Sequence, residues 1–128
     1  MDVLSYIITP TFPKYLVIKL RENENYSART RKKRINNAFS NANNLLQSEG
    51  FNGEIIIVFN GDAASDVIGR TISDALKQAP TVTLLLCNNS LKAQNIDVSM
   101  LPVVFRVVPA AISYIIEQHS LGALYVRP

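Results

Sequence analysis

The sequence predicts an α/β fold, a three-layer α/β/α sandwich around a mostly parallel sheet, and three observations carry that expectation. Short runs rich in leucine and β-branched residues alternate with segments whose apolar residues recur at helical spacing, the order that βαβ units require. Runs such as Glu54 to Phe59 (EIIIVF) are continuously apolar, as in strands buried on both faces. The chain has 128 residues, 48% of them hydrophobic, which suits one domain with one substantial core.

In order, Met1 to Pro13 holds a short apolar piece, Val3 to Ile8, and is broken by Pro10 and Pro13, so residues 1–13 read as an arm or edge segment. Residues 14–128 then form a single α/β domain. Lys14 to Leu20 (KYLVIKL) is the first core strand and residues 21–28 the loop after it. From Arg29 the period becomes helical: Ile35, Ala38, Phe39, Ala42, Leu45 and Leu46 fall on one stripe that ends at Gly50. Glu54 to Phe59 is a central strand, closed by the turn chemistry of Asn60-Gly61-Asp62.

Ala64, Val67, Ile68, Thr71, Ile72, Ala75, Leu76 and Ala79 repeat at helical spacing and predict one helix ending at Pro80. Thr81 to Cys87 is the next strand, followed by a short helix from Leu91 to about Asn95. Val103 to Val108 is another strand, and Pro109 suits the first position of a helix that continues over Ala110 to His119. Ala123 to Val126, after Gly122, is the last strand.

The composition excludes several classes of function. No apolar run approaches the roughly 20 residues of a membrane span. A single cysteine permits no internal disulfide, and the first thirteen residues have no signal-peptide pattern, so a reducing cytoplasm is the expected compartment. The net charge of +3 is local, because Arg29, Arg31, Lys32, Lys33 and Arg34 exceed it by themselves. Such a run can bind phosphate, but it lacks interleaved aromatics and any zinc-finger or RNA-recognition signature. A solvated helix start, or a site for acidic groups of a neighbouring subunit, is the simpler reading, and nucleic-acid binding through residues 29–34 ranks third among the functional readings. There is no GxGxxG or Walker loop, and one His with one Cys cannot make a standard zinc site, so no cofactor and no metal are expected.

The chemistry centres on Cys87. It lies on a strand-to-helix turn, and Asn88, Asn89 and Ser90 are residues that cap helix starts. The free N–H groups and the positive end of a helix dipole favour an anion there, and a thiolate is the anion this residue supplies. Cys87 is therefore a candidate nucleophile, set against the plainer possibility of a small buried hydrophobe. In parallel sheets reactive groups gather outside the carboxyl ends of the strands. That edge collects Cys87, Asn88, Asn89 and Ser90 with Asn60, Gly61, Pro109 and Arg127, the polar ones as candidate anion-binding residues. His119, near the end of an apolar helix, reads as a helix-terminal cation rather than a general base.

Three segments carry a family resemblance: Cys87-Asn88-Asn89-Ser90-Leu91-Lys92-Ala93, Val107-Val108-Pro109-Ala110-Ala111, and, after Gln118, the ending Gly122-Ala123-Leu124-Tyr125-Val126-Arg127-Pro128. In order and spacing they resemble the C-terminal half of the DsrE/DsrF-like family, with its C-G-N-[ST]-x-K-A turn, V-P-A-G turn and closing G-x-x-Y-[IV]-[RK]-P. Asn88 and Ala111 stand where that family has glycine. The resemblance implies a five-stranded parallel sheet of the DsrEFH-like kind, a homotrimer or homohexamer, and a cysteine, here Cys87, that carries sulfane sulfur as a persulfide between partner proteins. Whether such a carrier also turns over as a sulfurtransferase-like enzyme is left open. The alternative is a non-catalytic oligomeric binding or adaptor module of the same fold, with Cys87 merely packed.

Overall fold

The computed structural model describes residues 14–21, 27–48 and 53–126; the expected arm at 1–13 and the candidate Arg127 lie outside them. The elements follow the order β1 (Lys14–Arg21), α1 (Ala28–Gln47), β2 (Glu54–Asn60), α2 (Asp62–Ile68), α3 (Asp74–Gln78), β3 (Val82–Cys87), α4 (Asn88–Ala93), a 3₁₀ turn (Val98–Met100), β4 (Phe105–Val108), α5 (Ala111–Ser120) and β5 (Leu124–Val126). The result is a mixed α/β structure built on a parallel sheet.

Strand order is β4-β3-β2-β1-β5, and every neighbouring pair is parallel. This order decides where each helix goes. The steps β1 to β2, β2 to β3 and β3 to β4 run in one direction across the sheet, and the step β4 to β5 runs back over it. Right-handed crossovers therefore send the first three connections to one face and α5 to the other. The packing agrees. Ile55, Ile57 and Phe59 of β2 and Leu84 and Leu86 of β3 cluster with Ile35, Ala38 and Ala42 of α1, Ala64 and Val67 of α2, and Leu91 of α4. The intervening residues, Ile56, Val58, Leu85 and Cys87, form a second cluster with Ala111, Tyr114 and Ile115 of α5. Side chains that alternate between two buried faces explain why these strands read as unbroken apolar runs.

Four sequence expectations are corrected. The residues from Ala64 to Ala79 make two helices, because Gly69 caps α2 and Ser73 starts α3 with its hydroxyl accepting the Leu76 N–H. Ile72 and Leu76 stay buried across the break, so a helical stripe survived without a continuous helix. Val103 and Val104 precede β4 in a turn closed by the Phe105 N–H donating to the Pro102 carbonyl, and Val103 is fully exposed. Pro109 falls before α5, whose N-cap is Ala110. The short helix starts at Asn88, three residues before the expected Leu91.

Candidate functional site

Adjacent parallel strands whose following helices leave to opposite faces open a crevice at their carboxyl ends. β3 and β4 are such a pair: α4 follows β3 onto the α1 face and α5 follows β4 onto the other. Cys87, the last residue of β3, lies in register with Val108, the last of β4, and is itself the N-cap of α4. The only cysteine of the chain therefore stands at the topological switch point.

Its side chain belongs to the α5 face, with Val58, Leu85, Ala111, Val108, Tyr114 and Ile115 around it, and the residue is 5% exposed. Burial pushes the thiol up. The Cys87 side chain makes no capping hydrogen bond to α4, but the neighbouring Ser90 and Ala111 amides, the Ser90 hydroxyl and the Asn89 amide favour the charged sulfur, outweigh burial and hold the thiol below the ordinary cysteine value. Donors come from the starts of two helices, α4 and α5. Tyr114, in the same cluster, is raised above the usual tyrosine value by its own burial and by the Glu54 and Glu117 carboxylates, against an opposing effect of Arg106.

The other candidates divide around this centre. Ser90, whose amide and hydroxyl favour the charged sulfur, also accepts the Gly61 N–H on its hydroxyl at 2.7 Å. Gly61 caps α2 with φ 61° and ψ −144°, a conformation that essentially only glycine adopts. Asn89 is exposed, and it is its backbone amide, not its side chain, that favours the charged sulfur. Asn88 makes no capping bond. The expected cap at Asn88 to Ser90 is corrected to Cys87, because the strand runs into the helix with no loop between them. Asn60 ends β2 with its Oδ1 buried and unpartnered. β5, the strand that precedes Arg127 in the sequence, pairs with β1, so β1 and β2 lie between it and β3.

The sequence reading missed Ala111 as a donor and Gln94 as a support. A second strand-to-helix turn at Val108 to Ala111 was the signal for the first, and spacing of i, i+4 from Ser90 the signal for the second. The Gln94 amide nitrogen donates to the Gly61 carbonyl at 2.7 Å.

The basic run begins α1, on the face opposite the sulfur cluster. Arg31 Nε donates to Asp66 Oδ2 at 2.6 Å, and Lys32 lines a cleft of about 210 Å³ with Ala28, Ile35, Asp66 and Arg70. Arg70 stacks over the Phe39 ring at 5.7 Å and bonds Asn36. Among the described residues no cluster of three His, Cys, Asp or Glu side chains could hold a metal ion, and no helix is long and apolar enough to cross a membrane.

No family model matches the chain, and no curated protein matches it. A solved structure is similar: the protein of unknown function MTH1491 from Methanobacterium thermoautotrophicum, 22% identical, with a TM-score of 0.72, over 90% of this chain and 99% of that one. At that identity the likeness is one of fold.

Proposed function

We propose that this chain is a small sulfur carrier of the DsrE-like kind, in which Cys87 accepts a sulfane sulfur as a persulfide and hands it on. The observation that carries the reading is the place of the one thiol, at the end of β3, as N-cap of α4 and beside the start of α5, at the carboxyl edge where β3 and β4 diverge, where neighbouring amides lower its pKa. Those donors favour the thiolate, which is the nucleophile in sulfur exchange. The Cys87 thiolate attacks the outer sulfur of a donor persulfide, R–S–SH. The donor S–S bond breaks, the donor leaves as the thiolate R–S⁻, and a new S–S bond leaves Cys87 as S–SH. No net oxidation is involved, and delivery to an acceptor thiolate is the same exchange in reverse.

The residue's 5% exposure favours a second reading, an oligomeric adaptor in which Cys87 is packing. Incubation with a polysulfide donor followed by intact-mass measurement separates the two. The carrier gains about 32 Da, one sulfur atom, on Cys87 and none in Cys87→Ser; an unchanged mass at full donor excess selects the adaptor.

Both readings are of a homo-oligomer, with a trimer the first choice and a hexamer the second. Ile112 and Ile116 on α5 are 59% and 64% exposed, while Tyr114 and Ile115 turn toward the sheet, so the helix is apolar on two sides. A reducing, cytoplasmic setting suits a lone reactive thiol. Nucleic-acid binding is not proposed, since the basic run is partly engaged with Asp66 and lies away from the sulfur.

A further inference from the structure

The start of α1 and the end of α2 meet at the cleft of about 210 Å³ lined by Ala28, Lys32, Ile35, Asp66 and Arg70. On the α1 side Ala28, Lys32 and Asn36 follow one another at one-turn spacing and so share a face of the helix. On the other side Asp66 lies in the last turn of α2, and Arg70 is the residue after its Gly69 cap. Side-chain contacts hold these groups in place. Arg31 Nε donates to Asp66 Oδ2 at 2.6 Å, Arg70 donates through Nη2 to Asn36 Oδ1, and the Arg70 guanidinium lies over the Phe39 ring, 5.7 Å from its centroid. The cleft is therefore lined by a guanidinium whose plane is already set by a hydrogen bond and a ring.

The charges here do not balance. Arg31, Lys32 and Arg70 bring three positive charges against the one negative charge of Asp66, which is already paired with Arg31. Lys32 is exposed and has no hydrogen bond or ion pair among the described residues, and Arg70 Nη1 is buried without a partner. A buried donor on a charged group is unfavourable until an acceptor reaches it. The first turn of α1 holds no acidic residue, so no side chain of that turn offsets the positive end of the helix dipole. A solvated basic surface accounts for Arg29 and Lys33, which are exposed. It does not account for a guanidinium that is stacked, hydrogen-bonded and still left with an orphan nitrogen beside a cleft. At about 210 Å³ that cleft is smaller than the roughly 300–1,000 Å³ of sites for drug-sized ligands, which restricts it to a small group.

We propose that the cleft between α1 and α2 binds a phosphate group, free or carried by a small molecule, with Lys32 as a point charge and the Arg70 guanidinium as a planar fork. A phosphate ester carries about −1.5 to −2 at neutral pH, which matches the two positive charges that Asp66 leaves unbalanced. A carboxylate would offset only one of them. The cleft lies on the α1 face of the sheet, opposite the cluster that holds Cys87, so the proposal is independent of the sulfur-carrier reading.

The test is an NMR titration of the full chain with sodium phosphate and, separately, with glycerol 3-phosphate, each at constant ionic strength, for the unmutated protein, Lys32→Ala and Arg70→Gln. Saturable shifts of the Ala28, Lys32, Asp66 and Arg70 amides are expected, with the Cys87 amide unmoved. Each substitution should weaken binding about tenfold or more, the loss of one charge-assisted hydrogen bond. Shifts that grow linearly without saturating, or an affinity unchanged in Lys32→Ala, overturn the proposal. Lys32 is exposed, so that variant decides alone if Arg70→Gln does not fold. Saturable binding of either probe that is lost in Lys32→Ala supports the site, and the tighter of the two tells an esterified phosphate from a free one. A single-stranded oligonucleotide that binds more tightly than both, and depends on Arg29 and Lys33 but not on Arg70, overturns the proposal in favour of a nucleic-acid surface.

Discussion

Ile56 and Ile57 are neighbours in β2 that point to opposite faces, and truncating each to alanine probes whether both faces of the sheet are sealed. Ile57 is fully buried, in register with Ile18 of β1 and Leu84 of β3, and packs toward α1. Ile56 is 2% exposed, in register with Val17 and Thr83, and packs toward α5. Each substitution removes three carbons. At about 0.8 kcal/mol for each buried methylene-sized group the transfer loss is roughly 2.5 kcal/mol, and the unfilled cavity brings the total to about 3–4 kcal/mol. With a urea m-value of roughly 2 kcal/mol/M, each midpoint should fall by about 1.5–2 M at unchanged m. Val103→Ala, at a fully exposed position, should stay within about 0.5 kcal/mol. If Ile56→Ala cost less than about 1 kcal/mol while Ile57→Ala cost the full amount, α5 would not cover the second face, and the setting assigned to Cys87 would fall with it.

Two further outcomes follow from the site. A thiol whose folded pKa lies below its unfolded value of about 8.5 stabilises the fold through its ionised form. That contribution is complete above the unfolded value and is lost as pH falls through the folded one, so the stability difference between the native protein and Cys87→Ser should grow from neutral pH to about pH 9. Thermal melts at matched ionic strength read it, and a flat or falling difference refutes the sign. Ile116→Lys, at an exposed apolar position of α5, should reduce the solution mass toward that of a single chain in light scattering; an unaltered oligomer places the interface elsewhere.

Much of this architecture was written in local sequence pattern. Ile55 to Phe59 and Leu84 to Cys87 are buried on both sides, and that is why they lack alternation. The stripe from Ile35 to Leu46 needs a helix, and α1 covers it. Cys87 was legible as a thiol at a strand-to-helix turn. What local pattern could not supply was strand order, which is set by long-range pairing. The proximity of the Ala111 N–H to Cys87 arises because β4 lies beside β3, and the separation of β5 from β3 arises because β5 lies beyond β1. The burial of Cys87 has the same origin: α5 returns across the sheet and covers the thiol at the strand end. Gln94 could be read only as the residue one helical turn after Ser90; its bond to the Gly61 carbonyl, 33 residues away, is set by the fold.

The most direct measurement is the pH profile of Cys87 alkylation in the native, unmutated protein, beside the same protein in denaturant. Donors from α4 and α5 predict a native midpoint below the denatured one, with modification confined to Cys87 and proceeding at neutral pH despite its burial. A native midpoint at or above the denatured value would mean that burial outweighs the N–H donors, and Cys87 would then be a packed residue and not a sulfur-carrying one.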